Sequence, residues 1–251
     1  MRSMWPSRAP ERLRIRAAGR AVVALVLLCS IARTSVAHAS SLPVSSKNLV
    51  VYTTCTLSGT TGTSASEWDS YVDENAPTTN NGTAVTMNSQ SRNNRNRRSY
   101  VSFDLTTCAP NVPSSATVTN ATLRLWVTAM PVAACRTEDV FAVTSAWTES
   151  AITWNNQPFG TAINNPASGT RTDSITVGTG AGCTIGSVGQ YVPWNVTANV
   201  ANFVSGSATN FGWMIRDDVE GANGLGFTVT FSTSDAGSIA QAPQLTVTYK
   251  R

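Results

Sequence analysis

Short runs of alternating apolar and polar residues recur along the chain, and they constrain its fold more than any other feature. In residues 100–105 the side chains of Val101, Phe103 and Leu105 fall on one side of a strand, and the more polar ones fall on the other. The same alternation is found in residues 121–127, 211–216, 226–231 and 245–249. Turn residues separate these runs, and only residues 199–205 could form a helical turn. Short strands without interleaved helices predict an all-β fold of two packed antiparallel sheets.

The first 39 residues have the order of a secretory signal peptide. An arginine-rich segment comes first, an apolar run over residues 21–31 follows, and Ala37-His38-Ala39 has the small-x-small pattern of a cleavage site. A membrane anchor is the alternative, but the apolar run is shorter than the ~20 residues that cross a bilayer. We therefore expect a secreted protein, extracellular or associated with the cell wall, and not inserted in a membrane. The remainder divides into a Ser/Thr/Gly-rich lead-in, residues 40–66, that could add an edge strand, and one domain over residues 67–251.

Removal of the leader would change the charge and the chemistry of the chain. The formal charge is +4, but seven of the 18 basic and one of the 14 acidic residues lie in residues 1–39, which leaves a charge near −2. A net charge that would favour nucleic acid is therefore not expected. The single histidine, His38, would be removed as well. A mature chain without an imidazole cannot form a Ser-His-Asp triad, a Cys-His dyad or a histidine metal site.

Four cysteines lie beyond the leader: Cys55, Cys108, Cys135 and Cys183. An even number in an exported chain predicts two disulfides, with three possible connectivities. Their wide spacing does not fit a Cys-x-x-Cys redox or zinc site. We favour Cys108–Cys135, because each lies just past the end of a predicted strand, and this choice leaves Cys55 to pair with Cys183.

Several sequence motifs follow one another in a specific order. The most distinctive is Ile152-Thr-Trp-Asn-Asn-Gln-Pro158, which follows Ala146-Trp-Thr-Glu149. The other motifs, in chain order, occupy residues 69–72, 80–82, 98–105, 121–127, 194–197, 210–212 and 242–249. In this succession the chain resembles the DNRLRE-domain proteins, a family grouped with the carbohydrate-binding modules (family 96) and related to repeats in the archaeal enzyme disaggregatase.

The resemblance implies a jelly-roll-like β-sandwich of the kind found in extracellular proteins, often beside polysaccharide-degrading domains. It also implies binding to acidic polysaccharide such as alginate. The chain departs from the family at Asn195, where Asp is usual, and in its cysteines, which are not a general family feature. No catalytic domain accompanies the motifs in this sequence, so an enzyme-tethering role cannot simply be transferred.

Residues 91–98, Ser-Arg-Asn-Asn-Arg-Asn-Arg-Arg, are the first candidate ligand-binding segment. Its four arginines are Arg92, Arg95, Arg97 and Arg98. Guanidinium groups bind carboxylates in a bidentate fork, and asparagine amides can hydrogen-bond sugar hydroxyls. The segment therefore favours a site for a uronic-acid polymer. A solvated loop or edge strand is an equally weighted alternative, and contact with cell-wall or nucleic-acid phosphate is a third.

Four further side chains are predicted to extend this site. Tyr100, Arg124 and Trp126 have the outward parity of their strands, as Arg98 does. If the strand of residues 100–105 and the strand of residues 121–127 are neighbours, these three side chains and Arg98 would form one patch with an aromatic platform. Arg216 is outward on its own strand and could extend the patch. The alternative is that Trp126 packs in a second layer beneath a loop.

The run that contains Trp147, Glu149 and Trp154 is predicted to be a structural corner, with buried indoles and with Glu149 accepting backbone hydrogen bonds. Trp194 and Trp213 are predicted to be buried too.

Two acidic clusters could supply oxygen ligands to a structural calcium ion, although neither has EF-hand spacing. The first cluster consists of Asp69, Asp73 and Glu74, and the second consists of Asp217, Asp218 and Glu220. Solvated loops are the alternative, and no other cofactor is expected.

These observations favour a monomeric, non-catalytic carbohydrate-binding module for an extracellular, acidic polysaccharide. The alternative in a different class is a structural or adhesive cell-surface protein with no specific glycan ligand. A small polysaccharide hydrolase or lyase is a third hypothesis. It finds little support, because no pair of carboxyls and no Tyr/Arg set has a recognisable catalytic spacing.

Overall fold

The computed structural model describes residues 49–59, 66–222 and 227–251, and this part of the chain is built mainly from strands. The strands are β1 (Tyr52–Ser58), β2 (Glu67–Asp73), β3 (Thr86–Ser91), β4 (Arg97–Phe103), β5 (Thr117–Ala129), β6 (Arg136–Ala142), β7 (Asp173–Val177), β8 (Gln190–Asn195), β9 (Trp213–Asp217), β10 (Phe227–Ser232) and β11 (Gln244–Lys250). Helix α1 (Thr197–Ser205) forms where the sequence predicts a helical turn. Among the described residues no helix has the length and apolar character needed to cross a bilayer. The prediction of an all-β fold is confirmed; the predicted signal peptide, residues 1–39, lies outside the described residues.

The strands join into one continuous antiparallel sheet that curls on itself, so the two predicted sheets are connected. The hydrogen-bonded order is β1-β11-β5-β10-β3-β4-β9-β6-β7, with β2 beside β4 and β8 beside β5. Strand β5 makes the connection, because it pairs with β11 from Thr117 to Arg124 and with β10 at Val127 and Ala129. A strand of 13 residues is long enough to belong to one layer at its start and to the next at its end.

Two layers face each other across the main apolar core. We call β1, β11, β5 and β8 the open layer, and β2, β4, β9 and β6 the covered layer. The core contains Leu123 from the open layer and Val101 from the covered layer, both fully buried. Trp194 of β8 packs edge-on against Phe231 of β10 at 6.0 Å, and its indole N–H donates to the carbonyl of Glu138 in β6. These contacts place strands of the two layers on opposite sides of one core.

The outer side of the covered layer is also buried, because the connection between β6 and β7 lies across it. This connection, residues 143–172, is called the covering segment below. Ile152 and Trp154 of the covering segment form a second apolar cluster with Val72, Tyr100 and Met214 from β2, β4 and β9. Strands β4 and β9 are therefore buried on both faces, although their sequences alternate like half-exposed strands.

The two disulfides are Cys55–Cys108 and Cys135–Cys183, so the favoured pairing of Cys108 with Cys135 is wrong. The Cα atoms lie 5.7 Å apart in the first bond and 5.4 Å apart in the second. Cys108 precedes β5 and Cys135 follows it, so the length of this strand, roughly 40 Å at 3.3 Å per residue, separates them. A disulfide needs Cα atoms within about 7 Å. The predicted pairing of Cys108 with Cys135 was based on strand ends, which alone do not show which ends meet, and the pairing of Cys55 with Cys183 followed from it by elimination.

Candidate functional site

Arg98 lies in the interior, so the predicted outward position of this side chain is wrong. Its Nε and Nη2 atoms donate to the two carboxylate oxygens of Glu220 at 2.7 and 2.8 Å. The remaining N–H groups donate to the side chain of Gln157 and to the carbonyls of Gly160 and Ala162. All five guanidinium donors are thereby used, and none is left for a ligand.

Tyr100 and Arg216 are also buried, which corrects the same expectation for both. The Tyr100 hydroxyl donates to Gln157 at 2.9 Å. The Arg216 guanidinium donates to the carbonyl of Pro166 at 2.6 Å and lies 4.8 Å from the ring centre of Phe141. Both side chains, like Arg98, fix the covering segment to the covered layer and have no exposed surface.

The predicted single patch does not form, because β4 and β5 are not neighbours. Strands β10 and β3 lie between them in the sheet order. Side-chain parity defines which side of its own strand a residue occupies. It does not define the layer in which the strand lies, or whether another segment covers that side. The sequence-based patch therefore divides into a buried group, an exposed loop and a part of the open layer.

The exposed loop connects β3 to β4 and contains two of the predicted arginines, Arg92 and Arg95, and a third, Arg97, begins β4 directly after it. Arg95 is exposed and Arg92 is half-buried. Arg97 pairs with Asp73 at 2.8 Å, so part of its charge is neutralised. The carboxylate of Glu74 accepts hydrogen bonds from the backbone and side chain of Asn96, which places a second acid against this loop. The arginine loop is accessible, but acids partly offset its charge.

The outer side of the open layer keeps the other two predicted residues together and adds a third. Arg124 and Trp126 of β5 are both half-exposed. The Arg124 guanidinium lies 4.6 Å from the ring centre of Tyr191 on β8, and the Trp126 ring meets the same tyrosine edge-on at 5.1 Å. The Tyr191 hydroxyl donates to the carbonyls of Ala240 and Ala242, which holds its ring in place. We call Arg124, Trp126 and Tyr191 the open-face cluster.

Tyr191 was missed at the sequence level, although the signal was present. Tyr191, Pro193 and Asn195 alternate with the buried Val192 and Trp194. The strand was not predicted because it contains Pro193, and proline within such a run argues against a central strand.

The residues around the open-face cluster favour the binding of an anionic ligand. The four strands of the open layer contain no Asp or Glu, and their charged residues are Arg124 and Lys250. Threonine side chains of β1 and β11 form hydrogen bonds between the two strands. Thr54 Oγ1 lies 2.9 Å from Thr248 Oγ1, and Thr56 Oγ1 lies 3.2 Å from Thr246 Oγ1. The result is a polar surface with one aromatic and cationic centre. An indole and a phenol ring offer stacking surface to the C–H face of a sugar, and a guanidinium beside them can grip a carboxylate.

The acidic clusters are engaged in other contacts. Arg98 binds both carboxylate oxygens of Glu220, and Arg136 binds both oxygens of Asp217. Asp218 is half-buried beside Arg136. Among the described residues no three His, Cys, Asp or Glu side chains are grouped so that they could hold a metal ion. In the second cluster the carboxylates of Asp217 and Glu220 are therefore already bound by arginines.

The structural corner predicted around residue 150 forms largely as expected. Trp154 is buried, as are Trp194 and Trp213, whereas Trp147 is only half-buried. Glu149 Oε1 accepts a hydrogen bond from the backbone N–H of Asp69 at 3.1 Å. Burial, together with the smaller effect of the nearby Asp69 carboxylate, raises the pKa of the Glu149 carboxyl to about 7, against the opposing effect of that hydrogen bond.

An all-β domain that presents two aromatic rings and a guanidinium on one sheet face fits the class of sugar-binding domains. Comparison with known families agrees, since the model of carbohydrate-binding module family 96 matches residues 60–249. The chain belongs to this family, and the resemblance noted from its motifs is confirmed. A search of individually curated proteins finds no significant match.

Proposed function

We propose that the protein is a secreted, monomeric and non-catalytic module that binds an acidic, uronate-containing polysaccharide through the open-face cluster. The observation that carries the proposal is the Arg124 guanidinium, stacked on Tyr191 beside Trp126 and without a carboxylate partner among the described residues. The family supports carbohydrate binding in general. The acid-free strands around the cluster support the preference for an acidic sugar.

The cluster suits binding along a polymer. Trp126 and Tyr191 accept the C–H faces of sugar rings, while Arg124 pairs with a uronate carboxylate. The three side chains project from adjacent paired strands, with Trp126 opposite Tyr191 in the register, so little order has to be imposed when a ligand binds. The accessible arginine loop adds general attraction for polyanions.

Chemistry at this face supports the non-catalytic assignment. Hydrolysis by the usual route needs two carboxyls roughly 5–10 Å apart, and the open-layer strands have none. A lyase could use a tyrosine as base. The Tyr191 hydroxyl is instead bound to two carbonyls, and burial raises the pKa of Tyr191 above its ordinary value.

Arg124→Gln tests the proposal. Affinity electrophoresis in gels that contain alginate or polygalacturonate should show at least about tenfold weaker retention, because a charge-assisted hydrogen bond contributes ~1.5–3 kcal/mol and 1.4 kcal/mol is a factor of ten. The melting temperature should be unchanged, since Arg124 makes no ion pair within the described residues.

Arg95→Gln is the matched control, because it removes the same charge from the exposed arginine loop. Its retention should fall by less than about twofold at physiological salt. Equal retention of Arg124→Gln and the wild type would refute the site. A wild-type protein that no uronate polymer retains would instead favour the structural or adhesive alternative.

A further inference from the structure

A groove of about 480 Å³ lies on the outer side of the covered layer, facing away from the open layer. Trp68 and Ser102 line it from the paired strands β2 and β4, and Trp147 and Glu149 line it from the covering segment. Phe211 lies beside them, just before β9. The groove marks the place where the covering segment leaves part of the layer accessible. Its volume falls in the range of ~300–1,000 Å³ found for small-ligand sites.

The aromatic side chains of the groove are held in place before any ligand binds. The Trp147 indole N–H donates to the carbonyl of Phe211 at 2.8 Å, and the Trp147 ring packs on Tyr100 at 5.6 Å. Trp68 projects from β2 and keeps 36% of its surface exposed, an unusual fraction for an indole on a folded domain. Trp147 is held by these contacts and Trp68 is held by its strand, so the two rings can stack on a sugar with little loss of conformational entropy.

The groove continues beyond a single sugar unit. A depression of about 260 Å³ shares Trp147 with it, and another of about 300 Å³ shares Phe211. Aromatic rings therefore lie at both junctions between adjoining depressions. Such an open arrangement suits a chain that passes across the surface better than a small molecule enclosed in a cavity.

The polar groups of the groove disfavour an acidic ligand. No Arg or Lys is among its lining residues, and Glu149 is the ionisable group among them. The buried carboxyls of Asp69 and Glu67 lie behind Glu149, and Asp235 also acts on its charge. A uronate here would meet only negative or neutral groups. Uncharged hydroxyls can instead bond to Glu149 and to the Ser and Thr side chains of the rim.

We propose that this groove is a second glycan site, which binds uncharged sugar units of a polysaccharide by stacking on Trp68 and Trp147. Glu149 accepts a hydroxyl hydrogen bond from the stacked sugar. The inference does not rest on the open-face cluster, since the two sites lie on opposite sides of the domain and one favours an acidic sugar while the other favours an uncharged one. Together they allow one domain to contact an acidic and a neutral chain at once.

Trp68→Ala is the direct test, with titration calorimetry against hexasaccharides of β-1,4-linked glucose, mannose and xylose as probes. At least one hexasaccharide should bind the wild type and bind the Trp68→Ala protein at least tenfold more weakly. The proposal is overturned if no hexasaccharide binds the wild type, or if Trp68→Ala binds with unchanged affinity.

Trp126→Ala is the matched control, because it removes an indole from the open layer, and it should leave hexasaccharide binding unchanged. Retention on uronate gels should respond in the opposite way, with loss in Trp126→Ala and none in Trp68→Ala. If Trp68→Ala is unstable, Ser150→Arg fills the groove from an exposed rim position and should give the same tenfold loss. Unchanged hexasaccharide binding in a folded Ser150→Arg protein would equally overturn the site.

Discussion

At the scale of single residues, Arg98 and Arg124 show that surroundings decide what an arginine does. Each occupies the outward parity of a strand whose other side faces the core. Arg98 has all its donors bound and a buried carboxylate partner, so it stabilises the fold. Arg124 stacks on one ring and has no acid beside it within the described residues, so its charge is available to a ligand.

Arg98→Met should destabilise the protein strongly, because it leaves the Glu220 carboxylate buried without its partner. We expect a loss of about 3–5 kcal/mol in the free energy of unfolding, measured by urea denaturation. Replacing Glu220 with Leu in addition should recover part of that loss.

Arg95→Met provides the comparison, since Arg95 is exposed and only its backbone makes a described hydrogen bond. Its free energy of unfolding should change by less than about 0.5 kcal/mol. Similar losses for Arg98→Met and Arg95→Met would show that the buried network does not hold the covering segment.

At the scale of elements, two Asn-x-Gly turns pin separate segments in the same way. The Asn80 amide nitrogen donates to the carbonyls of Glu149 and Ile152 in the covering segment, while its oxygen accepts from the N–H of Gly82. Asn210 repeats the arrangement, donating to the carbonyl of Phe103 and accepting from Gly212. Both asparagines therefore stabilise the fold by joining segments that are distant in the sequence.

Gly212→Ala should test this role. Gly212 has φ of +77°, and a β-carbon there would lie 2.2 Å from the carbonyl oxygen of Val101. The left-handed conformation alone costs ~1–2 kcal/mol for a residue other than glycine, and the overlap should add about 2 kcal/mol or more.

Gly237→Ala separates the two contributions, because Gly237 has the same φ of +77° and open space around its α-carbon. Thermal or urea denaturation should show only the conformational cost there. Equal losses at both glycines would contradict the close approach at Gly212.

Strands β4, β5, β9, β10 and β11 could be predicted from alternation, but the covering segment could not. Residues 143–172 contain no strand or long helix, so no periodic pattern marks them as part of a layer. Tyr100 and Arg216 are polar enough to suggest a solvated face, and only their partners in that segment show otherwise. The half-exposed face of β5 was predictable, because nothing from elsewhere in the described chain covers it. The neighbours of β5 were not, since strand order depends on long-range pairing that local sequence does not encode.

At the scale of the whole molecule, the strands of the open layer contain no Asp or Glu, and several acidic groups elsewhere are buried. Burial raises the pKa of Asp69 to about 6 and that of Asp217 to about 6. Burial also raises the pKa of Glu67 and of Glu138 well above the ordinary value for glutamate. The folded protein therefore holds protons near neutral pH that the unfolded chain releases.

Stability should consequently fall as the pH rises from 5 to 8. A carboxyl whose pKa is higher in the folded state stabilises the fold at low pH, and this contribution is lost as the pH passes its folded pKa, here about 6–7 for Asp69, Asp217 and Glu149. Urea denaturation at pH 5 and pH 8 should give the smaller free energy of unfolding at pH 8.

Glu138→Gln should reduce this pH dependence, because the amide keeps the shape of a protonated carboxyl and cannot ionise. Stability that is flat or rising between pH 5 and pH 8 in the wild type would contradict the buried, protonated carboxyls.

We propose that acidic polysaccharide binds to the open face of the domain. Nuclear magnetic resonance titration of the ¹⁵N-labelled protein with a hexauronate tests it most directly, because amide shifts report the contact surface residue by residue. We predict that the largest shifts fall in residues 122–128 of β5 and 190–195 of β8. Shifts confined to the arginine loop or to the groove beside Trp68, or no shifts at all, would contradict it.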